Sequence, residues 1–359
     1  MRCSRCGNGN KELFMRRGGV WVCRVCLSYK FDREQTYFHG DGEYKLDYDL
    51  TNDQLKASEF LLSSLKEGKD ATLKAVTCAG KTEIIYDCIK YCVKNNLKVA
   101  VAIPRKDVVI ELFKRIEKDF KSSSVVSVYG GHAKELNSDI VILTTHQLYR
   151  YNNYFDLIII DEVDAFPYRG NLLLQRFLHN ASKGNVFYMS ATIPKGLNTE
   201  HTYYLNKRYH GEKLDIPKIR YMFFNWEIER FIKRHKNDLV LIYFPTIKEQ
   251  IKFSKKFKHD FFLINSKVSD RNNLLYRFHK LEKGIILTTL VLERGITFRN
   301  CHVIVFKADS SLFGYENLVQ ISGRVGRKKD YPHGEILFLV NHKSRNVRRT
   351  IKELKRANE

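Results

Sequence analysis

The chain has 359 residues, 43% of them hydrophobic, which is enough to fill the cores of two domains. Sixty-two lysines and arginines against 40 acidic residues give a formal charge of +22, and an excess of this size attracts phosphate polymers. No stretch approaches about eighteen apolar residues and no signal peptide is visible, so we expect neither a membrane-spanning nor a secreted protein. We expect a cytoplasmic protein with eight reduced cysteines.

Two cysteine pairs, Cys3–Cys6 and Cys23–Cys26, lie near the start of the chain, with sixteen residues between the pairs. This spacing is typical of a zinc ribbon, in which two turns each present two thiolates to one tetrahedral Zn²⁺ ion. Disulfides and incidental thiols are the alternatives, which the reducing compartment and the matched spacing disfavour. We therefore predict a zinc-binding module at residues 1–45, with a small hairpin between the pairs and metal binding as its main source of folding energy.

A predicted strand at 72–77 runs into a loop of small residues and then into a helical pattern. This arrangement wraps backbone N–H groups around phosphates, although a match to Gly-Lys-Thr alone is common by chance. Lys81 is predicted to reach the β- and γ-phosphates of ATP, and Thr82 to ligate Mg²⁺. Ala75 replaces the first glycine of the usual pattern. The residues predicted to contact nucleotide here are Ala75, Val76, Thr77, Cys78, Ala79, Gly80, Lys81 and Thr82.

An apolar strand at 155–160 ends on Asp161 and Glu162, as expected for a buried strand of a parallel sheet. The carboxyl edge of such a sheet is where a doubly wound fold binds its ligand. Asp161 is predicted to hold Mg²⁺, and Glu162 to orient and deprotonate the attacking water. The alternative, two surface acids after a core strand, is disfavoured because the strand aims them at the edge that the phosphate loop defines.

Upstream of the phosphate loop, Thr51 is predicted to cap a helix that contains Gln54. The spacing supports two interpretations of Gln54 equally: a residue that hydrogen-bonds the adenine edge, and a solvated helix glutamine.

From residue 237 the alternation of strands and helices restarts, which predicts a second parallel-sheet domain without a phosphate loop of its own. The predicted fold class is therefore α/β, with two tandem RecA-like domains after the zinc ribbon. We place the first domain at residues 46–208, the second at 209–342 and a basic tail at 343–359. The tail either contributes to a DNA track or is simply solvated, and we favour the solvated tail.

Arg324 and Arg327 lie one helical turn apart among glycines, so they share a face. They are predicted to neutralise charge that develops on the γ-phosphate, which would make hydrolysis depend on closure of the two lobes. The alternative is a basic helix that contacts a nucleic-acid backbone; the glycines, which allow close approach, favour the first interpretation. Gly295 and Gln320 are also assigned to the nucleotide site.

In this order, the motifs resemble those of superfamily-two helicases over about residues 50–342. A closer resemblance, to the family of the late competence protein ComFA, rests on the strings at 104–108, 144–148, 161–167, 293–297 and 318–327. The resemblance implies a DNA-dependent ATPase at the inner face of the cytoplasmic membrane, which helps to pull one strand of transforming DNA through the ComEC channel. It implies ComFC-like and DprA-like proteins as partners. Since no apolar stretch is long enough to span a membrane, we expect no direct insertion of the chain itself.

The same resemblance implies roles for residues that spacing alone does not single out, and several of them are small hydroxyl residues that turns also use. The implied contacts with the DNA backbone are Arg105, Gly130, Gly131, Thr144, Thr145, Ser266, Thr288 and Thr289, and the implied coupling residues are Ser190 and Thr192. Cys78 departs from the family, which usually has glycine there, so we expect some strain in the phosphate loop.

Three functions therefore stay open, with a single-stranded DNA translocase favoured. A superfamily-two helicase of general RNA or DNA metabolism is the second, although residues 161–164 differ from the commonest RNA-type motif and such proteins seldom begin with a four-cysteine ribbon. A nucleotide-gated DNA-binding scaffold is the third, and the intact Lys81, Glu162 and Arg327 argue against it.

Overall fold

A computed structural model describes residues 1–3, 7–24, 40–132, 135–194, 197, 201–221, 226–268, 274, 277–278, 281–292 and 298–359. The chain divides into two compact units: the first comprises Met1–Ala75 and Gly80–Leu205, the second Val76–Ala79 and Asn206–Glu359. Within the described ranges, no helix is long and apolar enough to cross a membrane.

The chain begins with the predicted hairpin, in which β1 (Phe14–Arg17) pairs antiparallel with β2 (Val20–Cys23). Cys23 is buried in the core of the first unit, and Cys3 and Phe14 pack against that core. A Cβ built on Gly7 would lie 2.0 Å from the guanidinium of Arg176, so Gly7 lies directly against the first unit. The hairpin is therefore packed on the first unit and does not stand apart from it.

The first unit is a parallel α/β sheet with helices on its faces. Its strands are β3 (Ala71–Ala75), β4 (Val99–Ile103), β5 (Val125–Val128), β6 (Ile140–Thr144), β7 (Phe155–Asp161), β8 (Ser182–Ser190) and β9 (His201–Leu205). Its helices are α1 (Asn52–Lys66), α2 (Lys81–Ile84), α3 (Tyr86–Lys94), α4 (Lys106–Asp119) and α5 (Leu172–Ala181). The strand order is β5-β6-β4-β7-β8-β3-β9.

Hydrophobic patterning explains these elements. Every residue of β4 and β6 is buried, as expected where helices cover both faces of a parallel sheet. Helix α4 buries Val109, Leu112 and Ile116, which recur at helical spacing, and leaves its charged residues on the opposite face. The elements thus position the loops at the carboxyl edge of the sheet.

The second unit repeats this design. Its strands are β10 (Lys218–Tyr221), β11 (Leu239–Tyr243), β12 (Phe261–Ile264), β13 (Gly284–Thr288), β14 (Cys301–Val305) and β15 (Ile336–Val340). Its helices include α6 (Trp226–Arg234), α7 (Ile247–Lys256), α8 (Tyr315–Ser322) and α9 (Arg345–Arg356). The strand order is β10-β15-β14-β11-β13-β12, and all neighbours are parallel.

The basic C-terminal stretch differs from the expected solvated tail. Helix α9 buries Val347, Thr350 and Leu354, which lie on one face at helical spacing, while its lysines and arginines face outward. The side chain of Asn358 also exchanges two hydrogen bonds with the backbone of Leu214. The prediction of a solvated tail relied on the charged residues and overlooked these three positions. Because the three side chains are buried, the helix is part of the second unit.

Candidate functional site

Three sequence motifs meet at one edge of the first sheet because parallel strands end together. Strands β7, β8 and β3 are neighbours, so their last residues, Asp161, Ser190 and Ala75, lie at the same edge of the sheet. The carboxyl edge of such a sheet is the usual ligand-binding edge of the fold.

Lys81 and Asp161 form the centre of this edge. The Nζ of Lys81 lies 2.8 Å from Oδ1 of Asp161, and the backbone N–H of Glu162 donates to the same oxygen at 2.8 Å. Burial alone would lower the pKa of Lys81, but the carboxylates of Asp161, Glu162 and Asp164 outweigh it, and the net shift is upward. An ammonium group next to a carboxylate can bind a phosphate group together with its Mg²⁺ ion.

Two non-glycine residues, one in the phosphate loop and one after β7, have left-handed backbone angles. Cys78 has φ +65 and Glu162 has φ +59, a region that costs free energy for residues other than glycine. The angle at Cys78 agrees with the expectation that glycine suits this position better. The loop residues Val76–Ala79 group with the second unit, where the carbonyl of Cys78 accepts a hydrogen bond from the N–H of Tyr209 at 3.0 Å.

Gln54 is buried, so the solvated-glutamine interpretation is wrong. Its side chain is part of a capping box: its Oε1 accepts from the N–H of Thr51 at 2.9 Å, and Oγ1 of Thr51 accepts from the N–H of Gln54 at 3.3 Å. A Cβ built on Gly80 would lie 2.2 Å from Nε2 of Gln54, so this amide sits against the start of α2. The predicted contact with adenine stays a prediction.

The sequence reasoning missed a buried acid in the first turn of α2, directly after the phosphate loop. Glu83 is 3% exposed, accepts a hydrogen bond from the hydroxyl of Tyr48 at 2.6 Å, and pairs with Arg115. Burial, followed by the hydrogen bond to Glu83, raises the pKa of Tyr48 to about 12. These partners come from distant parts of the chain, so no local pattern could have joined them.

The predicted coupling residues connect two of the strand ends. Oγ1 of Thr192 donates to Oδ2 of Asp164 at 2.5 Å, and both residues are buried. The N–H of Thr192 also donates to Oγ of Ser190 at 3.2 Å. The segment after β8 is therefore bonded directly to the segment after β7, which carries the predicted Mg²⁺ ligand.

The predicted nucleic-acid residues of the first unit follow β4, β5 and β6, on the other half of the same edge. Arg105 pairs with Asp107 at 3.0 Å, and the turn of Gly130 and Gly131 is exposed with open space around it. Thr144 and Thr145, at the end of β6, are 6% and 0% exposed.

Three further side chains around the glycine turn were missed. The ammonium of Lys106 lies 4.7 Å from the ring centroid of Tyr129, and the rings of Tyr129 and His132 stack with centroids 4.8 Å apart. A cation and two rings beside an exposed glycine turn are groups that can contact phosphates and bases.

The second unit places its predicted nucleic-acid residues in the equivalent position. Strands β13 and β12 are neighbours at one end of the sheet, and Ser266, Thr288 and Thr289 lie at their carboxyl ends. Ser266 is exposed, whereas Thr288 is buried and donates from Oγ1 to the carbonyl of Thr289 at 3.0 Å.

The paired arginines follow helix α8 in the second unit. Arg324 is 1% exposed, and Arg327 is half-buried and donates from Nε to the carbonyl of Gly323 at 2.9 Å. Gln320 is buried in the helix itself. A Cβ on Gly323 would lie 2.2 Å from Oγ1 of Thr77, so this approach requires glycine. The predicted nucleotide contact Gly295 lies outside the described residues.

Half of the predicted zinc ligands can be placed. Cys6 and Cys26 lie outside the described residues. The carbonyl of Cys3 accepts a hydrogen bond from the N–H of Gly7 at 2.8 Å, and Nδ2 of Asn8 donates to Sγ of Cys23 at 3.4 Å. A donor directed at a thiol sulfur suits a thiolate, so the placed residues fit Zn²⁺.

A second group of potential metal ligands lies at the amino edge of the second sheet. Donor atoms of His235, Asp238 and His302 lie within 4.8 Å of one another. The two imidazole rings stack with centroids 3.6 Å apart, whereas two rings that ligate one tetrahedral ion lie about 5 Å apart. The N–H of Glu335 donates to Nδ1 of His302 at 2.9 Å, so Nε2 of the neutral ring carries the proton and faces Asp238. These contacts indicate a hydrogen-bonded cluster rather than a metal site.

Together, the two parallel sheets, the phosphate loop and the acidic strand end define a superfamily-two helicase-like protein. The two predicted RecA-like domains are confirmed, whereas the zinc ribbon ahead of them stays a prediction. Residues 47–195 match the family described as "Type III restriction enzyme, res subunit", and residues 225–329 match "Helicase conserved C-terminal domain".

The chain belongs to the ComFA family of competence proteins. It is 33% identical to "Competence protein ComFA" of Streptococcus pneumoniae, over 99% of this chain and 90% of the relative. It is 30% identical to the protein of the same name from Bacillus subtilis, over 100% of this chain and 86% of the relative. The solved structure of Mss116p bound to ssRNA and AMP-PNP shares the fold, with a TM-score of 0.63 and 21% identity over 86% of this chain and 72% of that chain.

Proposed function

We propose that this protein is an ATP-dependent single-stranded DNA translocase that drives uptake of transforming DNA across the cytoplasmic membrane. One observation carries the proposal: in a member of the ComFA family, Lys81 lies 2.8 Å from Asp161 at the end of a buried strand, with Glu162 next to it. Lys81 and Asp161 suit the binding of ATP with Mg²⁺, and Glu162 adds the base that hydrolysis requires and that nucleotide binding alone does not.

Each residue of this group has a proposed task. Lys81 holds the β- and γ-phosphates, and Thr82 and Asp161 would hold Mg²⁺, which neutralises phosphate charge when bound. Glu162 orients the attacking water and accepts its proton. Arg324 and Arg327 stabilise the charge that develops on the transferred phosphoryl group.

The proposed DNA track rests on the parallel layout of the two sheets. In both units, the residues implied to contact DNA follow neighbouring strands at the carboxyl edge. The exposed turn of Gly130 and Gly131 and the exposed Ser266 lie on these tracks. The formal charge of +22 supplies a field that attracts a phosphate backbone.

Steady-state ATP turnover with single-stranded DNA, duplex DNA and RNA of matched length tests the substrate. We expect single-stranded DNA to stimulate turnover at least tenfold more than RNA, and the stimulation to weaken with salt, since each phosphate contact on a single strand contributes about 0.7 to the salt slope. Glu162→Gln, which keeps the shape but removes the base, is the inactive control.

Two other outcomes would replace the proposal. Stronger stimulation by RNA would favour an RNA helicase; single-stranded RNA is the nucleic acid bound in the Mss116p structure. DNA binding that depends on ATP without turnover above the Glu162→Gln control would favour a nucleotide-gated scaffold.

A zinc ion held by Cys3, Cys6, Cys23 and Cys26 is part of the proposal. Because Cys23 is buried in the core of the first unit, loss of zinc should lower the melting temperature of the motor as well as release metal. Metal analysis and thermal unfolding of Cys23→Ser test this, with Cys92→Ser as the control, since Cys92 is also buried but lies in α3. Full zinc content in Cys23→Ser would contradict the assignment.

Family membership also suggests where the motor works. We include in the proposal a peripheral position at the inner face of the membrane, with ComFC-like and DprA-like proteins and the ComEC channel as partners. Pull-down of each purified partner with and without single-stranded DNA tests these interactions one at a time.

A further inference from the structure

The chain segment that opens the second unit holds the backbone of the paired arginines. Arg208 is 2% exposed, and its guanidinium donates from Nη2 to the carbonyl of Val325 at 2.9 Å. From Nη1 it donates to the carbonyls of Gly326 at 2.8 Å and Pro332 at 3.2 Å. One buried side chain thus fixes three carbonyl groups around the arginine pair.

The residues next to Arg208 extend this contact. Nε2 of His210 lies 3.0 Å from the carbonyl of Gly326, and the hydroxyl of Tyr209 donates to the carbonyl of Arg327 at 3.3 Å. On the other side, Sγ of Cys301 donates to the carbonyl of Arg324 at 3.2 Å. Every carbonyl from Arg324 to Arg327 therefore meets a side-chain donor.

Helix physics explains why these carbonyls need donors. Helix α8 ends at Ser322 with Gly323 as C-cap, so the carbonyls that follow lack helical partners and lie at the negative end of the helix dipole. A guanidinium matches this position, since it offers several donors in a fixed plane and a positive charge.

Gly326 shows how close the contact is. Its φ is +66, and a Cβ there would lie 2.2 Å from the carbonyl oxygen of Pro332 and 2.4 Å from Nη1 of Arg208. A larger residue at this position would displace the guanidinium of Arg208, so the hydrogen bonds of Arg208 require glycine at position 326.

We propose that Arg208, together with Tyr209 and His210, is a positioning residue for ATP hydrolysis: it fixes the backbone from Arg324 to Arg327 and so sets the orientation of the two arginine side chains. The inference rests on the proposed role of Arg327. Arg208 touches neither nucleotide nor water in this role; it acts only through the carbonyls it holds.

Turnover and nucleotide affinity of Arg208→Gln test the proposal. We expect kcat to fall by roughly tenfold to a hundredfold, because a misplaced catalytic group costs rate, while the Kd for a fluorescent ATP analogue changes by less than about threefold. Lys207→Gln removes the same charge from the exposed neighbouring position and should keep wild-type kcat.

Two milder variants apply if Arg208→Gln unfolds. Arg208→Lys keeps the charge but loses the planar fork, so its kcat should stay reduced by about tenfold. Tyr209→Phe removes only the hydroxyl group at Arg327 and should reduce kcat by about twofold to fivefold. Wild-type kcat in both variants would overturn the proposal.

A double-mutant cycle separates positioning from general damage. Once Arg327→Ala has removed the side chain, adding Arg208→Gln should lower kcat by less than about threefold, because residues that act as a unit are not additive. Full additivity in folded protein would show that Arg208 does not act through Arg327 and would overturn the proposal. Wild-type turnover in Arg327→Ala would instead contradict the proposed function, whatever Arg208 does.

Discussion

The two units carry their candidate residues at the same edge of similar sheets but hold them in different ways. In the first unit, side chains hold one another: Lys81 pairs with Asp161, and Thr192 donates to Asp164. In the second, side chains hold backbone: Arg208 and its neighbours donate to the carbonyls of residues 324–327.

The difference matches two chemical tasks. Groups that receive a nucleotide must exchange partners when it binds, and an ion pair between Lys81 and Asp161 can be exchanged for phosphate and Mg²⁺. Groups that stabilise a transition state must already be in place, because reorganisation during the reaction costs rate. The first unit is thus arranged for binding and the second for rigidity.

The largest expected effect tests this contrast directly. Lys81→Ala removes contacts made in both ground and transition states, so both nucleotide affinity and turnover should fall. Arg327→Ala removes contacts that strengthen in the transition state, so turnover should fall by roughly 10³, about 4 kcal/mol, while affinity largely survives. Titration with a fluorescent nucleotide and single-turnover hydrolysis separate the two. Equal loss of nucleotide affinity in both variants would contradict the division of tasks between the two units.

Acid should destabilise the second unit through His302, which lies at the opposite edge of its sheet. Burial first, and then the charge of His235, lower the pKa of His302 from 6.5 to about 4. The charged and titratable groups around it are Lys218, Arg234, His235, Asp238 and Glu335.

The unfolded chain binds a proton at His302 that the folded chain does not bind between about pH 4 and 6.5. This contribution to stability is therefore complete above pH 6.5 and is lost as the pH falls toward 4, a change of about 3 kcal/mol. Urea unfolding of wild type and His302→Phe between pH 4 and 7 measures it. A pH slope that His302→Phe leaves unchanged would assign the effect to other groups.

Most of the fold follows from patterns that are local in the sequence. A continuous apolar run predicted β7, and the alternation that restarts at residue 237 predicted the second parallel sheet. Thr51 was predicted as a helix cap, because capping also depends on neighbouring residues. The position of Asp161 beside the phosphate loop also follows, since parallel strands end at one edge.

What the sequence left out depends on long-range contacts. The hydrogen bonds from Arg208 to the carbonyls of residues 325 and 326 join positions more than a hundred residues apart. The contacts of Glu83 with Arg115 and Tyr48 also join separate elements. The same holds for α9, whose charged residues suggested solvation although its apolar face packs on the second unit. The charge of a segment indicates that part of it is exposed, whereas its burial depends on the distant parts of the chain that pack against it.

A smaller effect is expected at the link between the strand ends of the first unit. Thr192→Val keeps the shape but removes the hydroxyl that donates to Asp164, so the free energy of unfolding should fall by roughly 1–3 kcal/mol. If this link couples hydrolysis to movement, ATP turnover should change by less than about threefold while strand displacement or translocation falls at least tenfold. Thr192→Ser, which keeps the hydroxyl, is the control. Parallel loss of both activities in Thr192→Val would argue against a coupling role.

The smallest effect concerns the phosphate loop, whose residues 76–79 group with the second unit although they follow a strand of the first. Cys78 has φ +65, where a Cβ costs about 1 kcal/mol and glycine does not. Glycine also gives the unfolded chain more freedom, which offsets part of the gain, so Cys78→Gly should raise the melting temperature by only about 1–3 °C.

Cys78→Ala distinguishes backbone strain from thiol chemistry, because it removes the sulfur but keeps the Cβ. If strain dominates, Cys78→Gly gains stability and binds ATP more tightly, whereas Cys78→Ala gains neither. Alkylation gives an independent measurement: the thiol lies in a phosphate-wrapping loop, so an adduct should block hydrolysis and bound nucleotide should shield it. Equal gains in Cys78→Gly and Cys78→Ala would assign the effect to the sulfur, and the loop would then be unstrained despite its left-handed angle.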